Sequence, residues 1–177
     1  MMVLPILLLL AVGCQTGNVE LDNGGDAILQ VTVDELTYRM GPADYRQIRL
    51  EAGVHSIIIQ DVDGKTLEEG TFEVIEGGLI NVAKSTYYIW VDLYGDAAQR
   101  KAQLNEQWLD IGNESFYGEF EVIEPDRLYV EKKWDYGLSD DFPDDVYGWK
   151  MTDQKWVIKR KLFREAELLN AYKEMVK

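Results

Sequence analysis

The chain has 177 residues, 46% of them hydrophobic and 28% charged, enough for one medium domain or two small ones. Its formal net charge of −14 argues against a nucleic-acid partner, which needs a basic face, and against electrostatic adhesion to an anionic membrane. One cysteine and one histidine exclude an intramolecular disulfide and a Cys/His zinc site within one chain.

The sequence opens on an apolar run, "VLPILLLLAV" over 3–12. The run is too short to span a bilayer, which takes about 20 residues. Its length suits the hydrophobic region of a secretory signal. It ends in Ala11-Val12-Gly13-Cys14, which sets the single thiol at the junction with soluble-looking chain. This tetrapeptide resembles the lipobox of bacterial lipoproteins. The resemblance implies that residues 1–13 are a signal peptide cleaved after Gly13. It implies also that Cys14 is acylated, with palmitate among the usual chains. Such an anchor is effectively permanent, since each buried CH₂ contributes about 0.8 kcal/mol. The stretch that follows reads as a lipidated tether over 14–25.

From Asn18 to Tyr94 the hydrophobic period is two, the period of a strand with one face buried, and the sandwich is placed at 26–95. "AILQVTV" (27–33), "RQIRLEAG" (46–53) and "GTFEVIEGG" (70–78) alternate, and "STYYIWVDLY" (85–94) is a further strand. "VHSIIIQDVDGKTLEEGTFEV" predicts a hairpin that turns at Asp63-Gly64. Short strands with turn signals between them predict a small β-sandwich. The spacing Val31-Thr32-Val33-Asp34, then Ile48, Leu50, Gly53, His55, Ile57 and Ile59, then Phe72 and Val74, resembles the PEGA-type module. That module is a small Ig-like sandwich of bacterial envelope proteins with a binding or spacer role. The resemblance implies no catalytic residues, and its register points His55 inward beside Ile57 and Ile59.

Beyond Gly95 the texture changes. Most of the lysine and arginine lies here, with every tryptophan but Trp90. "DAAQRKAQLNEQ" (96–107) reads as a short helix or a linking loop. "QWLDIGNESFYGEFEV" predicts a hairpin turning at Gly112-Asn113. "DRLYVEKKW" and "QKWVIKRKLF" read as strands, and 164–176 as a helix with a partial apolar face. The segment 96–177 is therefore an α+β unit, either separate or completing the first sheet.

Four places carry candidate chemistry. His55 is the only imidazole, and its strand position favours a hydrogen-bonded sheet histidine over a catalytic base. "DVDGKTLEE" (61–69) has a passing likeness to a calcium loop, but lacks the ligand spacing and is explained by a hairpin turn. "WDYGLSDDFPDD" (134–145) gathers Asp135, Asp140, Asp141, Asp144 and Asp145 with Trp134, Tyr136 and Phe142. Such a loop can hold a divalent cation, act on a sugar through two carboxyls, or simply solvate while its aromatics pack. The basic strand "KWVIKRKLFR" (155–164) suits an edge position, pairing with the acidic loop, or contact with an anionic glycan or head group.

The sequence thus predicts a mainly β protein: a sandwich over 26–95, then an α+β segment ending in a helix. The expected function is that of a cell-envelope lipoprotein held by lipid on Cys14, at the outer membrane facing periplasm or surface. Its role is expected to be non-catalytic binding or assembly, with an envelope protein or glycan as partner and no metal or cofactor. The alternative is an envelope glycan hydrolase using carboxylates of the 135–145 loop.

Overall fold

The structure is a computed structural model that describes residues 16–95, 101–142 and 156–175. Cys14 and the expected signal peptide lie outside the described residues, as do Asp144 and Asp145. In chain order the strands are β1 (Thr16–Asp22), β2 (Leu29–Val33), β3 (Leu36–Met40), β4 (Tyr45–Glu51), β5 (Gly53–Gln60) and β6 (Thr66–Val74). There follow β7 (Gly77–Asn81), β8 (Tyr87–Tyr94), β9 (Gln107–Ile111), β10 (Glu114–Ile123), β11 (Tyr129–Glu131) and β12 (Val157–Arg164), then helix α1 (Glu165–Met175).

These strands form three sheets, ordered β11-β7-β1-β4, β3-β2-β5-β6 and β12-β8-β10-β9. The first two face each other as a β-sandwich. Val19, Leu21, Ile48, Leu50 and Ile80 of one sheet meet Val31, Val33, Met40, Ile57, Ile59, Phe72 and Val74 of the other. The buried positions 48 and 50, 57 and 59, 72 and 74 carry the period of two seen in the sequence. The β5–β6 hairpin turns where Asp63-Gly64 predicts. The Asp61 carboxylate accepts from the backbone N–H of Asp63 and Lys65 at 3.0 and 2.9 Å, and Gly64 takes a φ of 80°.

The third sheet packs on the outer face of the first. Tyr87, Ile89, Ile123 and Leu162 lie against Leu79, Val130 and Trp134. Its own far face carries Tyr88, Trp90, Phe116, Phe120 and Phe163, and α1 covers these with Leu168, Leu169 and Tyr172. The molecule is therefore four layers deep, with sheet β11-β7-β1-β4 enclosed on both sides. The third sheet is likewise covered on both faces, by the first sheet and by α1, which explains why "YYIWVDL" in β8 is a nearly unbroken apolar run. Helix α1 follows β12 directly, with Glu165 and Glu167 in its first turn and Lys173 in its last, each complementing the helix dipole.

Two boundaries differ from those expected. Residues 16–22, taken as part of a tether, form a central strand whose Val19 and Leu21 are fully buried. The stretch looks loose in isolation because its alternate positions are polar, yet two of them, Glu20 and Asp22, are buried too. β1 also runs so close to the β6–β7 bend that a Cβ on Gly17 would overlap the Glu76 carbonyl oxygen. The second difference is an interleaving of the two expected units. β8 leaves the sandwich for the third sheet, while β11 from the C-terminal half returns to extend the first. Residues 101–103 are helical, in the stretch read as a short helix or a loop.

Candidate functional site

The polar face of β1 organises the second half of the molecule. Alternation along Val19-Glu20-Leu21-Asp22 sends Val19 and Leu21 into the sandwich core and turns Glu20 and Asp22 toward the third sheet. Two carboxylates would be costly there without counter-charges. The basic strand β12 supplies them through Lys161 and Arg164.

Asp22 is 0% exposed and accepts from three directions. The Tyr87 hydroxyl donates to Oδ2 at 2.5 Å, Arg164 Nε donates to the same oxygen at 3.2 Å, and Arg164 Nη2 donates to Oδ1. Arg164 then reaches the Ala43 carbonyl at 3.2 Å and Glu167 Oε1 at 3.1 Å. One guanidinium fork thus ties β1, the β3–β4 loop and the first turn of α1. Burial, and then the neighbouring Asp22 charge, push the Tyr87 hydroxyl far up from its ordinary range, so it stays a donor.

Next to it, Lys161 is 4% exposed and donates to the carbonyl oxygens of Gly137, Leu138 and Leu162, the last at 2.7 Å. Those three bonds use all three ammonium donors. Burial pulls its pKa down from the ordinary lysine value, and the surrounding carboxylates of Glu167, Glu20, Asp140 and Asp141 oppose this. On the other side of the same loop, Glu20 is 7% exposed and accepts from the Leu138 N–H at 3.3 Å. Burial raises the Glu20 pKa, with the Leu138 N–H acting against it. Gly137 is required between them, since a Cβ there would overlap the Glu20 carboxylate.

The described part of the acidic loop, 134–142, is consequently a turn gripped by the basic strand. Asp135 accepts from Lys159 Nζ at 3.1 Å and from the Arg160 N–H at 2.9 Å. Asp140 accepts from the Gly137 N–H at 2.6 Å. Tyr136 bridges β12 with its own backbone, donating to the Arg160 carbonyl at 3.1 Å and accepting from the Leu162 N–H at 3.0 Å. Trp134 is buried and Phe142 stacks edge-on to Tyr94 and Phe163. β12 lies at a sheet edge, and its pairing with the acidic loop is one of the roles its composition suggests.

Between this loop, β8, β12 and α1 lies a cleft of about 780 Å³. Its walls carry the aromatic rings of Tyr94, Phe142 and Phe163, and carboxylates that include Asp140, Asp141 and Glu174. Carboxylates over aromatic faces make a surface complementary to cations. A glycosidase needs an acid and a second carboxyl facing each other across a cleft, about 5 to 9.5 Å apart. Here Asp135 is turned to β12, Asp140 to the Gly137 N–H, and the carboxyl whose pKa is raised, Glu20, sits behind Gly137 rather than on the cleft wall. Among the described residues no group of three or more His, Cys, Asp or Glu side chains converges as a metal site.

His55 lies at the mouth of the sandwich on the inward row of β5, packed on Phe72 with ring centroids 5.7 Å apart. Its Nδ1 is 2.7 Å from Asp34 Oδ2 and its Nε2 is 2.8 Å from the Glu51 carbonyl oxygen. Both neighbours are acceptors, so only the imidazolium satisfies both. Burial opposes that charge, and the bonds to Asp34 and Glu51 outweigh it, so the pKa is raised. Asp34 is held below its ordinary value by His55 first and the Ser56 N–H second.

Sequence reasoning singled out the acidic loop, the basic strand and His55. It missed Glu20, Asp22 and Tyr87, and it gave Lys161 and Arg164 no partner on β1. The available signal was the alternation Val-Glu-Leu-Asp at 19–22, which a tether does not need. No family model matches the chain, and no curated protein or solved structure is significantly similar to it.

Proposed function

We propose that this chain is a bacterial cell-envelope lipoprotein, anchored by lipid on Cys14, with a non-catalytic binding or assembly role. The anchor rests on the Ala11-Val12-Gly13-Cys14 junction after a short apolar run. No helix among the described residues is long and apolar enough to cross a membrane. The binding role rests on one observation: Asp135 and Asp140 are spent on fixing the loop that forms one wall of the cleft. Such a wall is built to present a surface. The acidic and aromatic lining suits a basic segment of another envelope protein, and the outer membrane is the location we favour.

Two measurements test the reading. Cys14→Ser should move the protein from the membrane fraction to the soluble one, or leave it uncleaved at higher mass. A variant that is cleaved and fractionates as the wild type does would refute the anchor. Asp141→Lys with Glu174→Lys reverses charge on the cleft wall without touching the bonds that fix the loop. A partner recovered with the wild-type lipoprotein from solubilised membranes should be lost from this double variant, and retention would refute the cleft as the binding surface.

A further inference from the structure

β1 begins at Thr16, two residues after Cys14. Thr16 pairs with Glu51 and Asn18 with Gly77, so the chain enters the sandwich at one particular end. That end carries the β4–β5 corner, the β6–β7 bend at Ile75-Glu76 and the β2–β3 turn at Asp34-Glu35. The registers place all three together: Gly53 lies opposite Val74, and the Asp34 N–H donates to the Ser56 carbonyl. Val54 is 70% exposed there and Ile75 55%.

An extended chain covers at most about 3.6 Å per residue, so two residues reach about 7 Å. The head-group zone on each side of a bilayer is itself about 5 to 7 Å thick. A body joined to its lipid by so short a link has no room to stand clear of the head groups. Resting on the lipid-anchor reading of Cys14, we infer that this end of the sandwich is a membrane-docking surface, lying in the head-group layer with Val54 and Ile75 directed at the acyl boundary. Exposed apolar side chains also occur at the opposite end, Val62 among them, so it is the point of chain entry that selects the end. Val62 follows β5, about 25 Å from Val54 along the strand at about 3.3 Å per residue.

The chemistry of the surface selects the lipid. Glu35, Glu51, Glu73 and Glu76 are exposed at this end and outnumber its exposed cations, Arg49 opposite Asn18 and Lys132, whose backbone N–H donates to the Gly77 carbonyl, while Asp34 is paired with His55. Four carboxylates repel an anionic leaflet within a Debye length and tolerate a zwitterionic one. The docking surface therefore fits neutral phospholipid.

The test uses the full-length lipidated protein. Acylation consumes the Cys14 thiol, so an introduced cysteine is unique. Val54→Cys, Ile75→Cys and Val62→Cys are each labelled with an environment-sensitive fluorophore and reconstituted in phosphatidylcholine vesicles containing shallow doxyl-lipid quencher. Labels at 54 and 75 should be quenched several-fold more than the label at 62, and less strongly when anionic lipid replaces half the phosphatidylcholine. If the protein floats with vesicles but all three labels quench alike, the docking surface is refuted and the anchor stands. If wild-type protein takes up label at Cys14 and does not float, the anchor fails and the docking surface fails with it.

Discussion

Glu20 and Lys161 hold the two ends of one peptide bond. Lys161 donates to the Gly137 carbonyl, and Glu20 accepts from the Leu138 N–H at 3.3 Å. The peptide thus sits between a buried cation and a buried anion, its own dipole aligned with both. This arrangement fixes the turn from which the acidic cleft wall is built, and it joins a residue of the first described strand to one of the last.

Lys161→Met should cost about 3 to 5 kcal/mol in chemical denaturation. The substitution leaves the carbonyl oxygens of Gly137, Leu138 and Leu162 without their buried donor. A loss below about 1 kcal/mol would mean that the loop does not depend on this ammonium.

Glu20→Gln tests the other end through pH. Burial raises the Glu20 pKa above its ordinary 4.5, so the folded state binds the proton more tightly than the unfolded one. Stability drawn from the protonated form is complete below that ordinary value and is lost as pH rises through the raised folded value. The stability of Glu20→Gln relative to wild type should therefore increase between pH 4 and pH 7.5. Urea midpoints at the two pH values decide it, and a change in the opposite direction would contradict the burial argument.

Arg164→Leu should be among the most damaging single substitutions, at about 3 to 5 kcal/mol, because Asp22 would remain buried as an uncompensated charge. Asp22→Asn combined with Arg164→Leu should cost clearly less than the sum of the two single losses. Additivity in that double-mutant cycle would show that the two side chains act independently.

His55 supplies a pH dependence that can be read directly, because it is the single histidine and its ring proton resonance is unambiguous. Its folded pKa is raised above the ordinary 6.5, so its contribution is full below that value and is lost as pH rises through the folded one. The Asp34 pKa is lowered below the ordinary 3.8, so that contribution is present above 3.8 and lost as pH falls through the folded value. The pair should be strongest between about pH 4 and 6.5. Asp34→Asn should lower the titration midpoint of His55 and destabilise more at pH 5.5 than at pH 8.5. An unchanged midpoint would dissolve the pairing.

The sandwich register is checked by two neighbours on β5. Ile57 is fully buried, so Ile57→Ala should cost about 2 to 5 kcal/mol. Val54 faces out, so Val54→Ala should stay within about 0.5 kcal/mol. Equal costs would mean the strand is shifted by one residue.

What the sequence alone determined is the local order. A period of two at 46–50, 55–59 and 70–74 sorts side chains to two faces of a strand, and Asp63-Gly64 and Gly112-Asn113 set hairpins, whatever the chain packs against. The edge position of β12 and the final helix follow from the same short-range signals. Only the tertiary structure decided the meaning of the polar residues. Thr16–Asp22 resembles a tether because Glu20 and Asp22 interrupt its apolar positions, and their burial is tolerable only because Lys161 and Arg164 arrive from more than 140 residues along the chain. The acidic loop has the same history. Its aspartates look like a cluster in one dimension, but two of them point at backbone N–H groups, because Lys161 and Glu20 first fix the peptide between them. Hydrophobic period is a property of neighbours in sequence, whereas compensation of buried charge depends on the residues that the finished fold brings together.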